Sequence, residues 1–354
     1  MIKESDIRWS NYSVYEGPFY IGASKFKLPA EPSFEDKILA VITATEGGSW
    51  NAINMYDRCI CTVGLIQWCE GGQFSVSDML GVVHDRDANL LSPLAPVMNE
   101  HDVLFSKTAR GKWRFHFMRD KVNEIDTAEE QKKLFLLNSN GTKGSWDKDS
   151  IAHAKRWAAA MASVFEQPEA IHAQRDFTVP RLMSFALPQA RALINMKPSS
   201  VVGQAFTCAY LSFAANNPKR AADSLAAAQS SWKGEILNLP WLVHVLEKLT
   251  FHSGVTIYPH RYNAIRPVLE RLFAIDLPDH SAALQGLLTP AQIQDILAHK
   301  LGYELGNSGP NHDGVDGAWG GKSRAALADF QRRNGLIVDG EPDPETNATL
   351  LRAA

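Results

Sequence analysis

The sequence lacks the features that mark several large classes of protein. No apolar run is long enough to cross a bilayer, so insertion into a membrane is not expected. The formal net charge is only −3 at pH 7, which provides no basic field for nucleic acid, so nucleic acid is not an expected partner. The 11 histidines are scattered and form no His-Glu-x-x-His motif, so no metal or other cofactor is predicted.

Cysteine is also scarce. The four cysteines are Cys59, Cys61, Cys69 and Cys208. The first three lie close together, but they do not form the two Cys-x-x-Cys pairs of a zinc ribbon. A chain of 354 residues can bury a large core without covalent cross-links. We therefore expect reduced thiols that pack as small hydrophobic side chains, and no disulfide framework.

The composition is otherwise that of a globular protein, with 45% hydrophobic and 21% charged residues. The patterns predict an α+β fold that is mainly α-helical. Ser33 and Asp36 indicate the N-terminal cap of a helix, and Gly47-Gly48 indicates its end. Residues 50–68 combine turn formers with β-branched residues, which favours a short β-hairpin.

A strand is predicted at residues 112–117, where Trp113, Phe115 and Phe117 alternate with Arg114 and His116. Aromatic rings within a basic stretch can bind single-stranded nucleic acid. We favour the simpler interpretation, a strand with one packed aromatic face and one solvated charged face.

Helices are predicted over most of residues 149–275, at 151–165, 201–215, 218–230, 240–251 and 262–273. The character of the sequence changes after the turn-rich residues 276–286. We therefore predict two domains, a larger one at residues 1–280 and a smaller one at 287–354. No internal repeat is evident.

Three short helices joined by glycine-rich loops are predicted within residues 287–354. Thr289-Pro290 indicates the start of the first helix, and Gly335 indicates the end of the second. Asp316 and Asp339 each precede a glycine. Their carboxylates are expected to accept hydrogen bonds from nearby backbone N–H groups in Asx turns, with the glycines supplying unusual dihedral angles.

This small domain resembles the three-helix peptidoglycan-binding domain found on many cell-wall hydrolases. The resemblance is carried by Asp316–Gly320, Ala325–Leu327, Phe330–Gln331, Gly335–Leu336, Asp339–Gly340 and Thr346–Leu350. It implies that Asp316, Gly317, Trp319 and Asp339 belong to a surface that binds bacterial peptidoglycan. Ser323 stands where the family usually has threonine, so the hydroxyl is kept.

Glu46 is the candidate catalytic residue of the larger domain. It lies four residues after Ile42, which places it on the apolar face of the predicted helix and in its last turn. The helix dipole and burial both disfavour a negative charge there, so we expect a raised pKa. A carboxylic acid that keeps its proton near neutral pH is what glycoside cleavage requires.

The segments Thr45–Gly48 and Gly64–Gln67 resemble the lysozyme-like superfamily, whose goose-type and lytic-transglycosylase branches pair a helix-ending Glu-x-Gly with a downstream Gly-Leu-x-Gln. The resemblance implies that Glu46 is the general acid and that Gly64 and Gln67 line the substrate cleft.

Asp57 and Thr62 follow Glu46 at wider intervals than in phage lysozymes. We expect Asp57 to be the second carboxylate and Thr62 to position water. Tyr56 and Trp68 are further candidates for substrate binding, although Tyr56 would equally serve to orient the hairpin.

These features predict a monomeric phage-type endolysin that cleaves the bond after N-acetylmuramic acid. The polar N-terminus predicts synthesis in the cytoplasm without a signal peptide, and action in the periplasm or cell wall after release. Three alternatives remain open. They are a lytic transglycosylase, a zinc-dependent wall amidase or peptidase, and a non-catalytic wall-binding phage structural protein.

Overall fold

The computed structural model describes residues 1–12, 14–46, 48–56, 59–71, 75–118, 125, 127–186, 190, 199–251, 257–279 and 288–353. The predicted α+β class, mainly α-helical, is confirmed, because long helices accompany two small antiparallel sheets. The chain forms two compact units. Unit 1 comprises Met1–Glu31 and Glu46–Arg181, and unit 2 comprises Pro32–Thr45 and Leu182–Ala354.

Helix α1 comprises Phe34–Glu46 and begins as predicted. The Asp36 N–H donates to Ser33 Oγ at 3.2 Å, and the Ser33 N–H donates to Asp36 Oδ2 at 3.0 Å. This reciprocal pair satisfies two N–H groups at the helix start, one of which would otherwise lack a partner in the first turn. The predicted apolar stripe is fully buried at Ile38 and Ile42.

The main sheet of unit 1 has five antiparallel strands in the order β1-β2-β3-β4-β5. Their bounds are Arg8–Tyr12, Tyr15–Tyr20, Ile53–Asn54, Thr62–Val63 and Trp68–Cys69. The predicted hairpin is confirmed and is one part of this sheet. Asn54 pairs with Thr62 across β3 and β4, and Thr62 pairs with Cys69 across β4 and β5.

The other helices that begin in unit 1 are α2 (Ser75–Arg86), α3 (Ala95–Glu100), α4 (Ala128–Leu136), α5 (Lys148–Val164) and α6 (Pro168–Ala186), whose last residues belong to unit 2. A 3₁₀ segment, Ala88–Leu94, precedes α3. Trp157 of α5 is fully buried, and its ring lies 5.0 Å from that of Phe135 and 5.6 Å from that of Phe115. These edge-on contacts form the aromatic core of the unit.

The second sheet pairs β6 (Val103–Lys107) with β7 (Trp113–Phe117), which confirms the predicted strand. Phe115 is only 2% exposed, whereas Arg114 forms an ion pair with Asp78 at 2.9 Å. The Trp113 ring stacks on that of Phe105 at 5.1 Å. The packed aromatic face is therefore confirmed at Phe115 and Trp113, whereas the expectation of a solvated charged face is wrong at Arg114, whose side chain is only 12% exposed.

Unit 2 contains the long helices predicted after residue 200. They are α7 (Val201–Asn216), α8 (Pro218–Ser231), α9 (Leu239–Phe251) and α10 (Ile257–Phe273). The buried Arg261 of α10 donates to Thr45 Oγ1 at 3.0 Å and to the Ser212 carbonyl oxygen at 3.2 Å. This guanidinium fixes the last turn of α1 within unit 2.

The C-terminal module has the three predicted helices, α11 (Pro290–Asp295), α12 (Gly321–Arg333) and α13 (Pro344–Ala353). A π-helical turn, Ile296–Lys300, continues α11. The module's core consists of Ile293, Ile296, Leu297, Leu305, Ala326, Leu327, Phe330 and Leu350. The predicted boundary lies at residues 280–287, outside the described residues, and the division at that point stays a prediction.

The expectation of four reduced thiols is wrong for two of them. Cys59 and Cys69 form a disulfide, with their Cα atoms 5.6 Å apart. The pairing arises because Cys69 lies on β5 beside the strand that follows Cys59, a proximity that the sequence separation alone does not reveal. Cys61 and Cys208 are buried and lie outside the disulfide, as expected. Among the described residues, no helix combines the length and apolar character needed to cross a membrane.

Candidate functional site

The hairpin of unit 1 brings three of the predicted site residues into one turn. The Thr62 hydroxyl lies 2.9 Å from Gln67 Oε1 and 3.2 Å from the Asn54 carbonyl oxygen, and it can donate to either. The Gln67 amide group donates to the Gly64 carbonyl oxygen at 2.9 Å. Both ends of the Gln67 side chain are therefore held, which fixes its orientation.

The turn is supported from behind by Gln174 of α6, which is fully buried. Its Oε1 accepts from the Leu65 N–H at 2.9 Å, and its Nε2 donates to the Trp50 carbonyl oxygen at 2.9 Å. A Cβ at Gly64 would lie 2.3 Å from Gln174, so only glycine fits at this position. Gln174 could not be predicted from the sequence, because its partner Leu65 is 109 residues away.

Trp68, predicted to bind substrate, lies in the interior. It is 5% exposed, its indole N–H donates to Thr178 Oγ1 at 3.1 Å, and its ring lies 5.3 Å from that of Phe177. A ring that stacks on a sugar needs an open face. The structure therefore places Trp68, like the buried Gly64, in the support of the turn rather than on its surface.

Tyr56 is half-buried at the start of the loop between β3 and β4. Its N–H donates to Asn54 Oδ1 at 2.9 Å, and its ring meets that of Phe19 edge-on at 5.8 Å. The next two residues, Asp57 and Arg58, lie outside the described residues. The role of Asp57 as second carboxylate stays a prediction.

Glu46 is the last residue of α1, and it is half-buried. The residue before it, Thr45, is the last residue of α1 that belongs to unit 2, and it accepts the hydrogen bond from Arg261 described above. The role predicted for Glu46 is not tested by these contacts and stays a prediction.

Glu70 is an acidic residue that the sequence analysis missed. It follows β5 and is 1% exposed, and burial raises its pKa to about 7. Its carboxylate accepts from the Ser77 N–H at 2.9 Å and from the Ser77 hydroxyl. Ser77 lies in the first turn of α2, so Glu70 satisfies an N–H group at that helix start. Its seven-residue separation from Ser77 is too long for a local capping motif, which is why the sequence did not reveal it.

Among the described residues, no three His, Cys, Asp or Glu side chains converge in the way that a metal site requires.

The first loop of the C-terminal module, residues 315–319, is organised by Gln294, which is 1% exposed. Gln294 Oε1 accepts from the N–H groups of Asp316 at 3.2 Å and Gly317 at 2.8 Å. Gln294 Nε2 lies 2.9 Å from Asp316 Oδ1, 2.9 Å from the Ala318 carbonyl oxygen and 3.0 Å from Ser323 Oγ. The predicted Asx turn is confirmed, since Asp316 Oδ1 also accepts from the Ala318 N–H at 2.9 Å.

The second loop, residues 338–342, repeats this arrangement around Gln331. Gln331 Oε1 accepts from the N–H groups of Asp339 at 3.1 Å and Gly340 at 2.8 Å. Gln331 Nε2 lies 3.0 Å from Asp339 Oδ1, 2.9 Å from the Glu341 carbonyl oxygen and 3.3 Å from Thr346 Oγ1. The second Asx turn is confirmed by the Glu341 N–H, which donates to Asp339 Oδ1 at 3.0 Å.

The expectation of no internal repeat is therefore wrong for this module. Val315-Asp316-Gly317 and Val338-Asp339-Gly340 lie 23 residues apart in the sequence, and each is followed at matching intervals by a hydroxyl residue and a buried leucine. The glycines have φ values of +72° and +70°, in the left-handed region that glycine favours. The repeat was missed because each copy is short and most intervening residues differ.

Comparisons with known proteins agree with this geometry. Residues 290–350 match the family described as "Putative peptidoglycan binding domain". No curated protein and no solved structure matches the chain. The C-terminal module is thus identified as a domain of the peptidoglycan-binding type, which makes peptidoglycan the supported partner of the chain.

Proposed function

We propose that this chain is a peptidoglycan glycosidase of the lysozyme type, targeted to the wall by its C-terminal module. The observation that carries the proposal is the conjunction of two features in one chain. One is the family match of residues 290–350. The other is the fixed Thr62–Gln67 pair on the hairpin that follows the helix-ending Glu46.

In this proposal Glu46 donates its proton to the glycosidic oxygen that follows N-acetylmuramic acid. The bond between C1 and that oxygen breaks, the oxygen leaves as a hydroxyl, and positive charge develops at C1. Water then adds to C1 and gives its proton to a carboxylate, for which Asp57 is the candidate.

The hairpin residues have supporting roles. Gln67 is half-buried and held at both ends, so it can present one orientation of its amide to the sugar or to water. Thr62 is 4% exposed and acts as a positioning residue through its bond to Gln67. Gly64 and Trp68 maintain the turn from inside.

The same acid also suits a lytic transglycosylase. In that reaction the sugar's own hydroxyl attacks C1 in place of water and gives its proton to the Glu46 carboxylate, which has just donated one. An anhydro ring forms, and no second carboxylate is needed. A phage or prophage endolysin is the biological setting we propose, made in the cytoplasm and acting on the wall after release.

The test is digestion of purified sacculi by the full chain and by three variants. Glu46→Gln should slow release of fragments by about a hundredfold or more, as expected for loss of a general acid. Glu35→Gln is the matched control, since Glu35 is an exposed acid at the other end of the same helix. Thr62→Val should lower kcat with little change in KM, because it frees the Gln67 amide without removing it.

Product analysis separates the candidate activities. New reducing ends indicate hydrolysis, anhydro ends indicate a transglycosylase, and free stem peptides indicate an amidase or peptidase. No products from the unaltered chain would leave a wall-binding protein without catalysis. Near-normal activity of Glu46→Gln would remove Glu46 from the mechanism.

A further inference from the structure

The two loops of the C-terminal module have the same internal hydrogen bonds but differ in exposure. Asp316, Gly317 and Ala318 of the first loop are exposed. In the second loop Gly340 and Glu341 are buried. The two loops therefore differ in what they can bind, because the first is accessible at the surface and the second is largely covered.

Helix α9 accounts for part of the difference. Lys248 of α9 is 7% exposed, and its ammonium lies 3.4 Å from Asp339 Oδ2 in the second loop. A buried ammonium needs a carboxylate partner, because an isolated charge in the interior is costly. The second loop thus already has a cationic partner within unit 2, the side chain of Lys248.

The first loop instead borders an open depression of about 370 Å³. Its lining consists of Leu288, Ala291, Gln292, Asp295 and Ile296. A Cβ at Gly317 would lie 3.9 Å from the Ala291 side chain, so the loop and the depression adjoin. The two together form one continuous surface, which we name the first-loop face.

The chemistry of the first-loop face favours a peptide over a sugar. The lining is mostly aliphatic, and its one carboxylate is that of Asp295, whose Oδ1 lies 2.8 Å from His299 Nδ1. Asp316, in the adjoining loop, adds a second exposed carboxylate to the first-loop face. Sugars are typically recognised by open aromatic rings, but Trp319 is half-buried and its indole N–H donates to the Gly340 carbonyl oxygen at 3.3 Å. Peptidoglycan stem peptides offer alanine methyl groups and a free amine, which match an aliphatic depression with an acidic edge.

We propose that the first-loop face is the wall-contacting surface of the module and that it binds the stem peptide. The second loop serves as the internal contact for α9 and does not touch the wall. This inference rests on the proposed targeting of the chain to peptidoglycan, but it does not depend on catalysis.

The experiment measures binding of the full chain to purified sacculi by co-sedimentation. All proteins carry Glu46→Gln so that digestion does not remove the ligand. Ala318→Arg places a bulky cation on the exposed first loop. Val338→Arg is the matched control, because Val338 is 45% exposed in the second loop, and Lys248→Met removes the α9 contact.

We expect Ala318→Arg to raise the Kd by about tenfold or more, while Val338→Arg and Lys248→Met stay within about twofold of the parent. Soluble stem peptide should compete with sacculi, and glycan strands stripped of peptide should not. Circular dichroism of each variant verifies folding, and Ala318→Lys repeats the test at the same position should the arginine variant fail to fold.

Three outcomes would overturn the inference in different ways. Parent-like binding of both Ala318 variants would exclude the first loop as the contact. Competition by stripped glycan but not by stem peptide would exclude the stem peptide as ligand. Failure of the parent chain itself to bind sacculi would overturn the proposed targeting as well. The expected binding pattern, together with no digestion by the chain that keeps Glu46, would support the inference and overturn only the proposed glycosidase activity.

Discussion

The two loops of the C-terminal module share one hydrogen-bond arrangement and differ in their surroundings. The glycine N–H donates to the glutamine Oε1 at 2.8 Å in both, at Gly317 and at Gly340. In the first loop Asp316, Gly317 and Ala318 are exposed to solvent. Around the second there are Lys248 and the buried Glu341, whose carboxylate forms an ion pair with Arg324 at 2.6 Å.

The comparison shows that two loops with the same hydrogen bonds can contribute differently to the free energy of unfolding. A hydrogen bond at an exposed loop can be replaced by water when it is lost, so its net contribution is small. The same bond in the interior cannot be replaced, and its loss leaves donors and acceptors without partners. Three measurements test this difference between the two loops.

The largest effect is expected from removing the central glutamines. Gln331→Ala should lower the free energy of unfolding of the module by about 3 kcal/mol, since it leaves several buried polar groups without a hydrogen-bond partner. Gln294→Ala should cost about 1–2 kcal/mol, because the N–H groups of Asp316 and Gly317 are at the surface. Hydrogen exchange of peptides covering residues 288–353 measures both.

The matched control for this pair is Gln229→Ala, an exposed glutamine on α8 in the same unit. It should change stability by less than about 0.5 kcal/mol. Equal losses for Gln294 and Gln331, or a larger loss for Gln294, would contradict the contrast between the loops.

The next effect is a pH dependence that has opposite signs in the two loops. Burial raises the pKa of Glu341 from 4.5 to about 7, although the Arg324 guanidinium acts to lower it. Because the folded state holds this proton more tightly than the unfolded chain, the stability it contributes is full below about pH 4.5 and is lost as pH rises to about 7. The loss amounts to about 3 kcal/mol at most.

Glu341→Gln isolates this contribution. The difference in unfolding free energy between the parent chain and the variant, measured in urea at several pH values, should change over this range. Asp316 of the first loop behaves in the opposite sense, because the hydrogen bond from the Ala318 N–H lowers its pKa. Stability from Asp316 is therefore lost as pH falls below its unfolded value. A pH-independent difference for Glu341→Gln would refute the assignment.

The smallest effect is expected at the two glycines. Gly317→Ala should cost about 1 kcal/mol, from the left-handed backbone alone, since the nearest side chain lies at 3.9 Å. Gly340→Ala should cost about 2 kcal/mol, because its Cβ would also lie 2.8 Å from the Arg324 carbonyl oxygen. Thermal unfolding of the two variants gives the difference, and a greater loss for Gly317→Ala would be inconsistent with the second loop being the tighter one.

Much of the fold could be predicted, because helices and turns depend on near neighbours. The cap at Ser33, the strand at residues 113–117 and the Asx turns at Asp316 and Asp339 all involve partners within a few residues. Each of these signals is a donor or acceptor placed at a fixed short spacing.

The candidate site could be predicted only in part. The turn formers and β-branched residues at 50–68 indicated a hairpin, and the structure adds that the Thr62 hydroxyl holds Gln67. The interior position of Trp68 was not evident, since its partner Thr178 is 110 residues away. Nor did the sequence reveal that Glu70 is buried with a raised pKa.

The sequence by itself determined the cap that begins α1 and the two Asx turns, because those structures are formed by contacts within a few residues. Only the tertiary structure decided that Cys59 meets Cys69, that Gln174 supports the hairpin, and that Lys248 covers one loop and not its twin. These contacts form between segments that are far apart in the sequence, and the packing of those segments decides which polar groups are shielded from water. Burial of this kind sets both the pKa of a carboxyl and the cost of losing a hydrogen bond.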